Sequence, residues 1–107
     1  VKILFDNCVD RRLKKYLDTH EVKTAYQMGW ADYTNGKLLA AAGDEFDVMI
    51  TIDKNIKYQQ NLDTLPVSII VLNAKSNRLE SLAALIPKVE EVFANFAPCK
   101  FFEVEED

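Results

Sequence analysis

Two aspartates each follow a short apolar run. Asp6 closes Val1-Lys2-Ile3-Leu4-Phe5, and Asp53 closes Val48-Met49-Ile50-Thr51-Ile52. Runs of this length, rich in Val and Ile, predict strands buried on both faces, so each carboxylate lands at the C-terminal end of a central strand. In open α/β sheets ligands bind at that edge, because the loops leaving the strands open into a crevice there. If the two strands are neighbours, the carboxylates suit a hard cation such as Mg²⁺ or Mn²⁺, which is commonly held by one or two carboxylates and keeps several waters. Such an ion activates water and neutralises charge on a phosphate. The plainer reading is that both aspartates terminate strands, form turns or cap helices.

The flanking residues fit a phosphate-bearing ligand. Arg11 and Arg12 follow the first aspartate, and Lys54, Lys57 and Tyr58 follow the second. The cations would hold phosphates, and Tyr58 would stack on an exposed base. Arg11, Arg12, Lys14 and Lys15 equally describe the solvated face of a helix, and Gln59, Gln60 and Asn61 either read base edges or form a polar helix end. Cys8 stands two residues after Asp6 without a base nearby in the sequence, and reads as a small buried apolar thiol. His20 reads as a surface turn residue, and Trp30 and Tyr33 as a cover for the core's edge or a partner surface. Asp44, Glu45 and Asp47 read as surface charges, with Asp32 as a candidate extra ligand.

These residues need a frame to position them. Asp10 is a good N-cap for a helix that places Val9, Leu13, Tyr16 and Leu17 on one face. A short strand is predicted over Glu21 to Ala25, and a loop from Tyr26 to Asn35. A helix follows over Gly36 to Ala42, capped by Thr34 or Asn35 and stopped by Gly43. After the strand ending at Ile52 come a helix or turn over 55–61 and a fourth apolar strand, Val67 to Leu72. Leu82, Leu85, Ile86, Val89, Phe93 and Phe96 then form a helical stripe, in which Pro87 either kinks the helix or starts a second one. Phe101 to Glu105 reads as an edge strand. Alternating strands and helices predict a mainly parallel sheet with right-handed crossovers. If Asp6 and Asp53 share a ligand, the order is 2-1-3-4 with the last strand at an edge.

The 107 residues suffice for one domain, with 49% hydrophobic and 28% charged residues as in ordinary globular proteins. No apolar run approaches the roughly 20 residues needed to span a bilayer, and no signal-peptide pattern precedes the first strand, so a cytoplasmic location is expected. Cys8 and Cys99 lie far apart without metal-ligand spacing, and are expected as free thiols. Of the 17 acids, Glu103, Glu105, Glu106 and Asp107 form a tail, leaving 13 acids against 13 bases in residues 1–102. That neutral body neither requires a nucleic-acid partner nor excludes a basic patch.

Asp6 in LFDNCVDRRL, the segment from Gly29-Trp30 through NGKLLAAA, and FDVMITIDKNIKYQQN together resemble the PIN-like domains of short prokaryotic proteins, distant relatives of the VapC-type toxin ribonucleases. The resemblance covers roughly residues 1 to 75. It implies a three-layer α/β/α fold and Mg²⁺- or Mn²⁺-dependent cleavage of RNA, with Asp6 and Asp53 at the matching acidic positions. It also implies the toxin half of a pair with a small antitoxin. Relatives tend to carry another acid where this chain has Asn35, whose amide oxygen can ligate a metal but supplies no charge.

An alternative is a PIN-like frame without chemistry, whose acidic tail and Phe101-Phe102 edge pair with another protein or a second copy. A receiver-like phosphoacceptor domain would share the strand order and phosphorylate Asp53. Receivers, however, resemble one another in an acidic pair after the first strand, a hydroxyl residue after the fourth and a lysine after the fifth. Here those places hold Asp6-Asn7 and Leu72-Asn73, and Lys100 precedes its strand.

Overall fold

A computed structural model describes residues 1–106, so Asp107 of the acidic tail lies outside the described residues. Strands β1 (Lys2–Phe5), β2 (Glu21–Thr24), β3 (Val48–Thr51), β4 (Ser68–Asn73) and β5 (Phe101–Glu105) form one sheet in the order β2-β1-β3-β4-β5. Every pairing is parallel. The three inner strands are buried on both faces, which explains their unbroken apolar runs. No helix among the described residues is long and apolar enough to cross a membrane.

Between β1 and β2 the chain winds into a 3-10 helix over Arg11–Leu17, with Asp10 as its N-cap. Seven residues at about 2.0 Å rise span about 14 Å, against about 10 Å for an α-helix, so the tighter winding returns the chain along the full strand. Leu13 and Leu17 remain its buried pair.

Helix α1 (Asn35–Glu45) starts at the Thr34 cap, whose side chain accepts the Lys37 N–H. It runs through Gly43 rather than stopping there. A Cβ at residue 43 would stand 2.8 Å from the Pro66 carbonyl oxygen, so this glycine permits a close approach to the segment leading into β4 instead of ending the helix. Helix α2 (Ile56–Gln59) is a single turn after β3. The last helical stretch divides into α3 (Leu79–Ala83) and α4 (Ile86–Ala94), with Pro87 in the first turn of α4, where its missing N–H costs nothing.

One apolar cluster joins the 3-10 helix, α3 and α4 to Ile3, Phe5, Val48, Ile50, Ile70 and Leu72; the other joins α1 and α2 to Leu4, Met49, Ile69 and Val71. The result is three layers. The steps β2 to β3, β3 to β4 and β4 to β5 all move the same way along the sheet, but the last crosses on the opposite face from the other two. It therefore has the opposite hand, against the expectation of uniformly right-handed crossovers. Ile50, Ile70 and Leu72 require a cover on that face, and α3 and α4 supply it.

Candidate functional site

The register pairs Phe5 with Ile50, and the Asp6 N–H continues the ladder by donating to the Ile50 carbonyl at 3.0 Å. Asp6 is thereby fixed at the C-terminal edge of β1, beside the end of β3, with only 8% of its surface exposed. Its Oδ2 accepts the Thr51 hydroxyl at 2.9 Å and the Cys8 thiol at 3.5 Å, and its Oδ1 accepts the Asn7 N–H at 2.7 Å. Thr51, fully buried at the end of β3, also accepts the Asp53 N–H at 3.1 Å. One hydroxyl thus ties the first aspartate's carboxylate to the second aspartate's backbone. Asp53 is half-buried, and its Oδ1 accepts the Asn55 N–H at 2.9 Å, which shapes the turn into α2.

Neither Asp6 nor Asp53 forms an ion pair among the described residues. Asn35 opens α1, and its Nδ2 donates to Gln59 Oε1 at 3.1 Å, joining that helix to α2. No hydrogen bond links Asn35 to either aspartate among the described residues. The nearby loop is secured by Asn7 Nδ2, which donates to the Ala31 carbonyl at 2.8 Å. Asp32 is exposed in that loop, and no group of three or more His, Cys, Asp or Glu able to hold a metal occurs among the described residues.

The cations divide into free and engaged. Arg12 is clamped to Asp10 at 2.7 Å, and that guanidinium holds the Asp10 carboxyl down at about 2. Lys57 donates to Glu103 Oε1 at 3.1 Å, which raises the lysine's pKa and lowers the glutamate's. Its ammonium also lies 5.3 Å from the ring of Tyr58, which is 78% exposed. Arg11 and Lys54 are exposed and form no ion pair among the described residues.

Two expectations fail locally. Cys8 is exposed as a residue, while its sulfur turns between Asp6 and Thr51, 3.5 Å from an oxygen of each. Loss of water around the sulfur pushes the thiol above its ordinary pKa, and the Asp6 charge adds to the rise, so it stays protonated at neutral pH. His20 is not a surface residue: its side chain is 14% exposed, Nε2 lies 2.7 Å from Glu90, and the ring packs edge-on against Phe93. Those partners, some 70 residues distant, leave no local signal. Trp30 and Tyr33 stack on each other over the α1-side core, the edge-covering role of the two alternatives.

Thr51 is the residue that sequence reasoning passed over. Its signal is a hydroxyl at the last position of a buried strand, two residues before the aspartate. Comparison with protein-family models, with curated proteins and with solved structures returns no match.

Proposed function

We propose that the chain is a PIN-like, metal-dependent ribonuclease or its close descendant. The observation that carries this is the Asp6 carboxylate, largely buried without an ion pair among the described residues and tied through Thr51 to the backbone of Asp53. A buried carboxylate without a cationic partner favours the arrival of one. The donor set is all oxygen. It fits a hard, largely hydrated Mg²⁺ or Mn²⁺ held by two carboxylates, rather than an enclosed protein cage. Such an ion would lower the pKa of a bound water and offset charge on a phosphate. Asp6 and Asp53 would hold it, with the Asn35 side-chain oxygen assisting. Arg11 and Lys54 are the free cations for phosphate; Arg12, Lys57 and Tyr58 complete the RNA contacts once their present partners yield. The biological setting that goes with this reading is a toxin restrained by a small antitoxin.

The second reading, an interaction module that keeps the frame without the chemistry, is favoured by the hydrogen bond that holds the Asn35 amide against Gln59.

The test is incubation of a mixed single-stranded RNA with the protein in Mn²⁺ or Mg²⁺, beside Asp6→Asn and Asp53→Asn, with Mn²⁺ affinity measured by calorimetry. Cleavage that needs the metal and disappears in both variants is expected. Cleavage that persists in Asp6→Asn exposes a contaminant and ends the proposal. Absence of both cleavage and metal affinity supports the interaction module.

A further inference from the structure

A cleft of about 570 Å³ opens on the β2 side of Asp6, lined by Asp6, Arg11, Lys14, Thr24, Tyr26 and Gln27. Its polar wall is fixed in place. Gln27 Oε1 accepts from the Thr24 N–H at 2.9 Å and from Lys14 Nζ at 3.0 Å, and the Gln27 N–H donates to Thr24 Oγ1 at 3.1 Å. Arg11, unlike its neighbour Arg12, forms no ion pair among the described residues. Tyr26 is 81% exposed, more than any other large hydrophobic residue described, and it contacts no ring and no cation among the described residues. Folding usually hides part of a tyrosine ring; a bare one at the rim of a cationic cleft is a surface on which a flat ring can stack.

Charge along this edge of the sheet is uneven. At the β5 end Glu103 holds Lys57 and Glu106 holds Lys75, while Asn73 Nδ2 donates to Glu103 at 2.9 Å and to Glu105 at 3.1 Å, so carboxylates and cations there are already engaged with each other. The β2 end offers Arg11, Lys14 and Tyr26. A polyanion lying across the ends of β1 and β3 meets paired charge at the first corner and an arginine without an ion pair at the second.

We propose that this cleft is a one-nucleotide subsite for single-stranded nucleic acid. One base stacks on Tyr26, and its phosphate meets Arg11 and Lys14 next to Asp6. The subsite rests on the ribonuclease reading only for where the scissile bond lies, and not for binding itself.

The experiment follows the anisotropy of a short fluorescein-labelled oligouridylate RNA, in EDTA so that nothing is cut, over a range of salt. Tyr26→Ala weakens binding about 5- to 150-fold, the worth of one stacked base, and leaves the salt dependence unchanged. Tyr26→Phe restores the affinity, since the ring and not the hydroxyl carries the contact. Arg11→Ala lowers the slope of log K against log salt by about 0.7, the loss of one phosphate contact on a single strand. Tyr16→Ala, an exposed aromatic outside the cleft, binds like the wild type. Wild-type affinity in Tyr26→Ala, or no RNA binding by the wild type, overturns the subsite. Tyr26-dependent binding without cleavage keeps the subsite and removes the nuclease. Asp6-dependent cleavage that ignores Tyr26 does the reverse.

Discussion

At the scale of single residues, Thr51 is the link between the two aspartates. Its hydroxyl has one proton to give and lone pairs to receive, and the structure uses both: the proton goes to Asp6, and a lone pair meets the Asp53 N–H. Thr51→Val keeps the branched shape and loses both bonds. We expect a stability loss of about 1–3 kcal/mol in urea unfolding, the cost of leaving buried polar groups unpaired. If the nuclease proposal holds, Mn²⁺ affinity falls with it although both carboxylates remain, and Thr51→Ser restores most of each. A Thr51→Val protein with unchanged unfolding midpoint and metal affinity would mean that this hydroxyl organises nothing. Cys8 adds a useful negative: its raised thiol pKa leaves little thiolate at neutral pH, which argues against a cysteine nucleophile beside Asp6.

At the scale of elements, the instructive case is Gly43. A glycine inside a helix ordinarily costs about 1 kcal/mol relative to alanine, so Gly43→Ala would be a routine stabilising change. Here the added methyl meets the Pro66 carbonyl oxygen at 2.8 Å and the Pro66 Cβ at 3.1 Å, the first of which belongs to the backbone leading into β4. The clash outweighs the helix gain, and we expect Gly43→Ala to destabilise by about 1–3 kcal/mol, the usual cost of overpacking. A rise in the denaturation midpoint would show that α1 and the 66–68 segment separate more easily than their contact implies. Pro87 shows the opposite logic. Its place in the first turn of α4 turns a residue that breaks helices into one that starts a helix, which is why the stripe over 79–96 is two helices.

At the scale of the molecule, the two ends of the sheet's C-terminal edge differ: Arg11, Lys14 and an exposed ring stand at β2, and carboxylates paired with lysines at β5. The Lys57–Glu103 pair sits near that acidic corner with both partners part-exposed, where an ion pair contributes only ~0–1 kcal/mol to stability. If the chain binds RNA as proposed, the pair's larger consequence is competition, because Glu103 occupies a cation that a phosphate would otherwise take. Glu103→Gln should therefore leave the thermal midpoint nearly unchanged and tighten the binding of the labelled RNA, most at low salt where the field reaches furthest. Equal binding by Glu103→Gln and wild type at low salt would show that the acidic corner does not steer the ligand.

Much of this was legible in the chain itself. Continuous apolar runs ending in Asp6 and Asp53 determine buried parallel strands with carboxylates at one edge, because only a strand covered on both faces tolerates such a run. Asp10 and Thr34 mark their helix starts, because a side-chain oxygen before an apolar repeat satisfies the first N–H groups. What lay beyond local reading was every feature made by residues far apart in sequence. The Thr51 bridge needs β1 beside β3, the partial burial of His20 needs α4, the role of Gly43 needs Pro66, and the opposite hand of the last crossover needs a bare apolar face to cover. The same distinction separates Arg11 from Arg12 and Lys57: three similar cations in the sequence become one free and two engaged only when the fold delivers or withholds a carboxylate. Local patterns follow from the chemistry of adjacent residues, whereas a site's electrostatics depend on which distant charges the packing brings within reach.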